Sequence, residues 1–136
     1  MRIRKKPRKP KNAMNILKRK AWTLFSRYIR TRDGFKCITC GKIDQSPRMH
    51  AGHFLHRSIA SSLIFDERNV HAQCAYCNTY KETGGVYAAK IIEKYGIEVF
   101  NELQKKRTEY HKWTEKELQA IVDKYASPTS GNTDSN

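Results

Sequence analysis

Two Cys-x-x-Cys pairs, Cys37-Ile-Thr-Cys40 and Cys74-Ala-Tyr-Cys77, stand 33 residues apart and constrain this chain more than any other feature. A chain of 136 residues with 38% apolar content can build only a small core, and small cores commonly need a staple. Four thiolates in two such knuckles suit tetrahedral zinc. Gly41, just after the first pair, suits the tight ligand turn. Four thiolates leave no open coordination position, so the expected zinc is structural and holds the centre of the chain together. Disulfides would need an oxidising compartment. The basic N-terminus lacks the apolar stretch of a signal peptide, and no apolar run nears the ~20 residues that span a bilayer. The expectation is therefore a cytoplasmic protein with reduced thiols and no membrane partner. A redox role would want a CxxC opening a helix after a thioredoxin-like strand. An iron–sulfur cluster is the other use of this spacing.

Charge divides the chain. Residues 1–32 hold 13 of the 27 Lys and Arg and no acid, so most of the net +14 lies in one N-terminal block. Such a block either solubilises and addresses a protein or neutralises phosphates of a polyanion, releasing counterions. An anionic membrane surface fits less well, because MRIRKKPRKPK has no amphipathic stripe. The expected nucleic-acid contacts are Arg2, Arg4, Lys5, Lys6, Arg8, Lys9, Lys11, Lys18 and Arg19.

The pattern predicts an α+β fold in five segments. Residues 1–11 are expected to be a disordered basic arm. Residues 12–34 read as a basic amphipathic helix: Leu17, Ala21, Leu24, Phe25, Tyr28 and Ile29 recur at helical spacing, and Asp33-Gly34 closes it. Residues 35–85 form the zinc-bound core, with two short strands around the first knuckle, a loop at 57–68, and Val70–Gln73 leading into the second knuckle. Residues 86–125 hold C-terminal helices. In them Ala88, Ile91, Ile92 and Tyr95 mark one face, ended by Gly96. Val99, Phe100, Leu103, Arg107 and Tyr110 mark a second. A third opens on the capping box Thr114–Glu117 with Leu118, Ile121, Val122 and Tyr125 inward. Residues 126–136 are expected to be a disordered tail. His111 reads as a solvated side chain at a charged helix end.

Between the knuckles runs MHAGHFLHR, with His50, His53 and His56 at every third position. On a strand, His50 and His56 share one face with Gly52 while His53 takes the other; on a helix all three share a face.

A strand bearing Gly-His, an Asn ahead of a CxxC and an Asn directly after it together resemble the HNH, or ββα-metal, nuclease family over about residues 35–85. HAGH, FDERNVHAQC and the closing CN are more narrowly similar to lambdoid-phage recombination proteins described as structure-specific endonucleases. Junction resolvases of the phage T4 endonuclease VII type show a related CxxC…CxxCN arrangement. The resemblance implies a zinc-stapled ββα-metal core that cuts DNA phosphodiesters in branched recombination intermediates such as Holliday junctions and D-loops. The products would be a 5′-phosphate and a 3′-hydroxyl. It implies His53 as general base, Asn78 as a ligand of Mg²⁺ or Mn²⁺, and Asn69 as the Asn that ties the intervening loop. For a phage-borne chain the implied location is the host cytoplasm.

One departure stands out. Where many HNH proteins carry a second metal ligand just before the base, this chain has Gly52. By strand alternation His50 is the first candidate to replace it and His56 the second; alternatively Asn78 alone holds the metal. Arg57, Arg68 and Lys81 are the nearby cations that would face the reacting phosphate. His71 is a spare ligand or substrate contact with no strong claim to either. The C-terminal stripes and the two cuts needed at a junction predict a homodimer. The rival readings are a non-catalytic zinc DNA-binding module, and an HNH enzyme acting on plain duplex DNA or on RNA.

Overall fold

The apolar stripe expected over residues 12–32 forms helix α1, Lys11–Arg32, in a computed structural model that describes residues 3, 11–80 and 83–126. The stripe buries Ala21, Phe25 and Ile29 completely. Two cations in the last turn, Arg30 and Arg32, suit the helix dipole. The helix ends in a Schellman motif. Gly34 sits at φ 63°, its N–H bonds to Thr31 O at 3.1 Å, and Phe35 N–H reaches Arg30 O at 2.9 Å. Asp33 then serves as a hub: it holds Arg32 at 2.7 Å and accepts the Ala72 N–H at 2.8 Å. Arg32 also donates to the carbonyls of Glu67 and Val70, so it is a structural clamp rather than a free surface charge.

The sheet has two antiparallel strands, β1 (Met49–His53) and β2 (Val70–Cys74). His50 pairs with Gln73, Gly52 with His71, and His53 with Val70. All five β2 residues are buried, which requires cover on both faces. One face packs Ala51 and Val70 against Phe25, Ile29 and Tyr125. The other face carries His50, Gly52, His71 and Gln73, and Tyr87 lies against it.

Helix α2 (Ala75–Thr79) follows β2 directly. Helices α3 (Gly84–Tyr95) and α4 (Ile97–Lys105) turn at Gly96, whose φ of 92° favours glycine. Their buried Tyr87, Ile91 and Leu103 close over Leu55, Ala60 and Leu63. Helix α5 (Glu115–Ala126) opens on the expected capping box. Glu117 N–H donates to Thr114 Oγ1 at 3.2 Å, and Thr114 N–H returns a bond to Glu117 Oε1 at 3.1 Å. Its Leu118 and Val122 pack on Ala21 of α1.

Three expectations need correction. The first knuckle is framed by a single bridge, Lys36 to Ile43, and only β1 follows as a true strand. Residues 57–68 include a short 3₁₀ turn, Ser61–Leu63. Arg107 and Tyr110 fall beyond the end of α4. The stripes of α3, α4 and α5 pack largely inside the chain, which leaves the two cuts needed at a junction as the ground for the expected homodimer. The arm and the tail lie outside the described residues, apart from Ile3, Lys11 and the helix-closing Ala126. No described helix is long and apolar enough to cross a membrane.

Candidate active site

The four cysteines converge. Their Sγ atoms all lie within 4.8 Å of one another, and those of Cys40 and Cys74 are 3.8 Å apart. Tetrahedral zinc with ~2.3 Å bonds holds its sulfurs about 3.8 Å apart, so the cluster can take the ion with little change. The first knuckle is closed by Cys37 N–H to Lys42 O (2.8 Å) and Gly41 N–H to Cys37 O (2.9 Å), with Gly41 at φ 81°. Ile38 N–H to Ala72 O, 2.9 Å, stitches it onto β2. Burial pushes the Cys37 thiol up, but hydrogen bonds from Thr39 and from backbone amides outweigh it and bring it down to about 6. Burial, assisted by the neighbouring thiols, pushes Cys77 up to about 12. A dication among them would relieve that conflict.

His53 closes β1. Its ring stacks on Trp22 of α1, centroids 4.9 Å apart and planes within 20°. Its Nε2 lies 3.1 Å from the carbonyl of Ile64. A carbonyl only accepts, so Nε2 carries the proton and Nδ1 keeps its lone pair. Burial lowers the His53 pKa to about 4, with smaller contributions from His56 and Arg57. The result is a neutral imidazole of one tautomer.

On the other face, Asn78 Nδ2 donates to His50 Nδ1 at 3.1 Å. The structure thus brings together two of the proposed metal ligands. His50 would have to break this bond to offer Nδ1 to a metal. Gly52 lies beside them. A Cβ there would stand 3.0 Å from Asn78 Oδ1 and would clash with Gln73 Oε1. The Gln73 side chain fills the space that a ligand side chain at residue 52 would need. Gln73 is buried and held by Thr83 Oγ1 at 3.1 Å. Accordingly Gly52→Asp should destabilise by several kcal/mol, through overpacking and an unpaired buried charge. Thermal melting of Gly52→Asp with and without Gln73→Ala checks this; the second change should recover part of the loss.

Asn69 is buried and ties the loop after β1. Its Oδ1 accepts Leu55 N–H at 2.8 Å, and its Nδ2 donates to the carbonyls of Leu55 and Leu63. Its place is thus a loop tie behind His53. His56 is exposed and caps a turn: its Nδ1 accepts Ser58 N–H at 3.2 Å, and its carbonyl accepts Ala60 N–H. Arg68 is engaged by Asp66 and Glu102. Arg57, Lys18 and Arg19 are exposed. Arg2, Arg4, Lys5, Lys6, Arg8, Lys9, the Lys11 side chain and Lys81 lie outside the described residues. His111 is not at a helix end but in the stretch before α5, paired with Glu117 at 2.7 Å.

The sequence reading missed a buried relay. Tyr87 Oη–H donates to Gly52 O at 2.6 Å, so its oxygen accepts the His71 Nδ1–H at 3.2 Å. Tyr95 Oη–H then donates to His71 Nε2 at 2.8 Å. Burial lowers the His71 pKa to about 3 and keeps it neutral. The relay fixes the Gly52 carbonyl, and with it the peptide preceding His53. The available signal was Tyr87, Ile91 and Tyr95 at four-residue spacing on one helix.

The comparisons with known proteins extend over nearly the whole chain. The family model described as "Bacteriophage Lambda NinG protein" matches residues 1–131. Protein ninG of Escherichia phage 933W is 35% identical over 127 residues, covering 92% of this chain and 61% of the relative. The Salmonella phage P22 protein is also 35% identical, and that of Escherichia phage lambda 34%; for both, the match covers 92% of this chain and 60% of the relative. The chain thus spans about three fifths of these relatives' length. No solved structure matches it. A family model aligned along almost every residue, with the knuckles, MHAGH and CN inside it, makes this chain a member of the NinG family.

Proposed function

We propose that this chain is a metal-dependent DNA endonuclease of the ββα-metal kind, cutting phosphodiesters in branched recombination intermediates. The observation that carries the reading is His53. It is held neutral, in one tautomer, at the end of β1, next to Gly52, whose Cα lies close to the Asn78 and Gln73 side chains.

The chemistry follows from those groups. His53 Nδ1 takes a proton from water as the water oxygen bonds to phosphorus. The P–O3′ bond breaks, leaving a 5′-phosphate and a 3′-hydroxyl once the leaving oxygen is protonated. Trp22 and the Ile64 carbonyl hold the imidazole in plane and in tautomer through the transfer. Arg57 presents positive charge near His53 and would favour a phosphate there. Mg²⁺ or Mn²⁺, held by Asn78 Oδ1 with His50 as the second candidate ligand, would polarise the phosphate and stabilise the leaving oxygen. Cys37, Cys40, Cys74 and Cys77 would hold a zinc at the junction of β2 and α2, and so would steady the helix that carries Asn78 and, through the pairing of β2 with β1, the strand that carries His53.

Asn78→Ala tests the reading. Asn78 is exposed, so the fold should survive. Cleavage of a branched DNA should fall by two orders of magnitude or more and recover partly at raised Mn²⁺, because the defect is one of ligation. Undiminished cleavage by this variant in Mg²⁺ would remove the proposed metal site. A parent protein that binds branched DNA but never cuts it would favour the non-catalytic zinc module.

A further inference from the structure

A cleft of about 320 Å³ opens beside His53. Trp22, Trp113 and Tyr110 give it aromatic surface, and Lys18, Arg57 and Lys112 give it positive charge. It shares a wall with the proposed base: Trp22 carries the stacked His53 ring, and Ile64, whose carbonyl holds His53 Nε2, also lines the cleft.

We propose that this cleft binds an unstacked nucleobase together with its phosphate, taken from a single-stranded arm or branch point of DNA. The binding stands on the cleft itself; the consequence that it selects the strand presented to His53 rests on the nuclease reading above.

Three observations support that occupant. First, Trp113 is held in place within the wall. Its Nε1–H donates to Ser61 O at 2.9 Å, and its ring meets Phe65 edge-on at 5.0 Å. A ring already positioned loses little entropy when a base stacks on it. Second, Tyr110 is 79% exposed. Core packing does not account for a ring there, whereas stacking does. Third, Lys18, Arg57 and Lys112 have no carboxylate partner among the described residues. The nearby acid, Glu117, is taken by His111 and Thr114. A mouth with unspent cations over aromatic faces suits a phosphate joined to a π-surface. A paired base would first have to leave its stack, so the cleft would favour unpaired over duplex DNA.

The experiment uses the full chain without added Mg²⁺, so that nothing is cut. The probe is a forked DNA with 2-aminopurine in its single-stranded arm, compared with a plain duplex of the same length. The parent should change the 2-aminopurine fluorescence on binding. Tyr110→Ala and Lys112→Ala should each weaken fork binding about tenfold, abolish or reduce the fluorescence change, and leave duplex affinity unaltered. Tyr110→Phe should behave as the parent. Equal fork affinity and the same fluorescence change in both Tyr110→Ala and Lys112→Ala would overturn the proposal, as would equal losses on fork and duplex. Lys112→Glu provides a second reading should Tyr110→Ala not fold. Cleavage is assayed separately with Mg²⁺. A parent that shows the fluorescence change but never cuts sinks the nuclease reading and leaves the cleft standing; a parent that cuts without the change does the reverse.

Discussion

Cys74→Ser is expected to unfold the centre of the molecule rather than loosen one corner of it. Cys74 is the last residue of β2 and pairs with Met49 of β1. It packs with Cys37, Met49, Ala72 and Cys77 in a small cluster that has no large apolar side chain beyond Met49 and the half-buried Phe35. Such a cluster cannot hold itself together by burial alone. A structural zinc contributes on the order of 10–16 kcal/mol to folding, more than the roughly 5–15 kcal/mol by which whole domains are stable. The protein should carry about one zinc per chain. On removal of the metal, or in Cys74→Ser, residues 35–80 should become open to protease. Native protease resistance in a zinc-free preparation would show that the cysteines do not staple the fold.

His53→Ala should reduce cleavage by roughly 10²- to 10⁴-fold, the range of a lost general base, with DNA affinity and zinc content unchanged. Circular dichroism must accompany the assay, because the substitution also strips a stacked ring from Trp22.

The histidines make a second prediction, about pH. The pKa of His53 falls to about 4 and that of His71 to about 3 on folding, chiefly through burial. An unfolded histidine titrates near 6.5. The unfolded chain therefore binds more protons below that value, and stability falls as pH drops from about 6.5 towards 4. Above pH 6.5 both contributions are complete. Denaturant melts at pH 7.5, 6 and 5 should show the decline, and His53→Ala should show less of it. A pH-independent midpoint over that range would mean that neither ring is buried neutral.

Much of this was legible because it is local. The α1 stripe, the Gly34 stop and the Thr114–Glu117 box each rest on residues a few positions apart. The strand period alone places His50 with Gly52 and His53 on the opposite face. What could not be read depends on partners distant in sequence. Arg68 looked free until Glu102, 34 residues on, closed over it. Gly52 looked like a lost ligand until Gln73, its diagonal neighbour across the sheet, proved to fill the space. His71 acquires its role only when α3 lays Tyr87 and Tyr95 against its two nitrogens. The expected strands around the first knuckle shrink to one bridge, Lys36 to Ile43, made by Cys37 N–H to Lys42 O and Asp44 N–H to Phe35 O.

Single-turnover cleavage of an end-labelled four-way DNA junction, in Mg²⁺ and with zinc-loaded protein, tests the central claim most directly. Parent protein should cut the junction near its branch, faster than a matched duplex, and leave 5′-phosphate ends that a ligase can seal; His53→Ala should bind the same junction and leave it whole. A junction left intact by the parent, or cut equally well by His53→Ala, would contradict the assignment of His53 as the base.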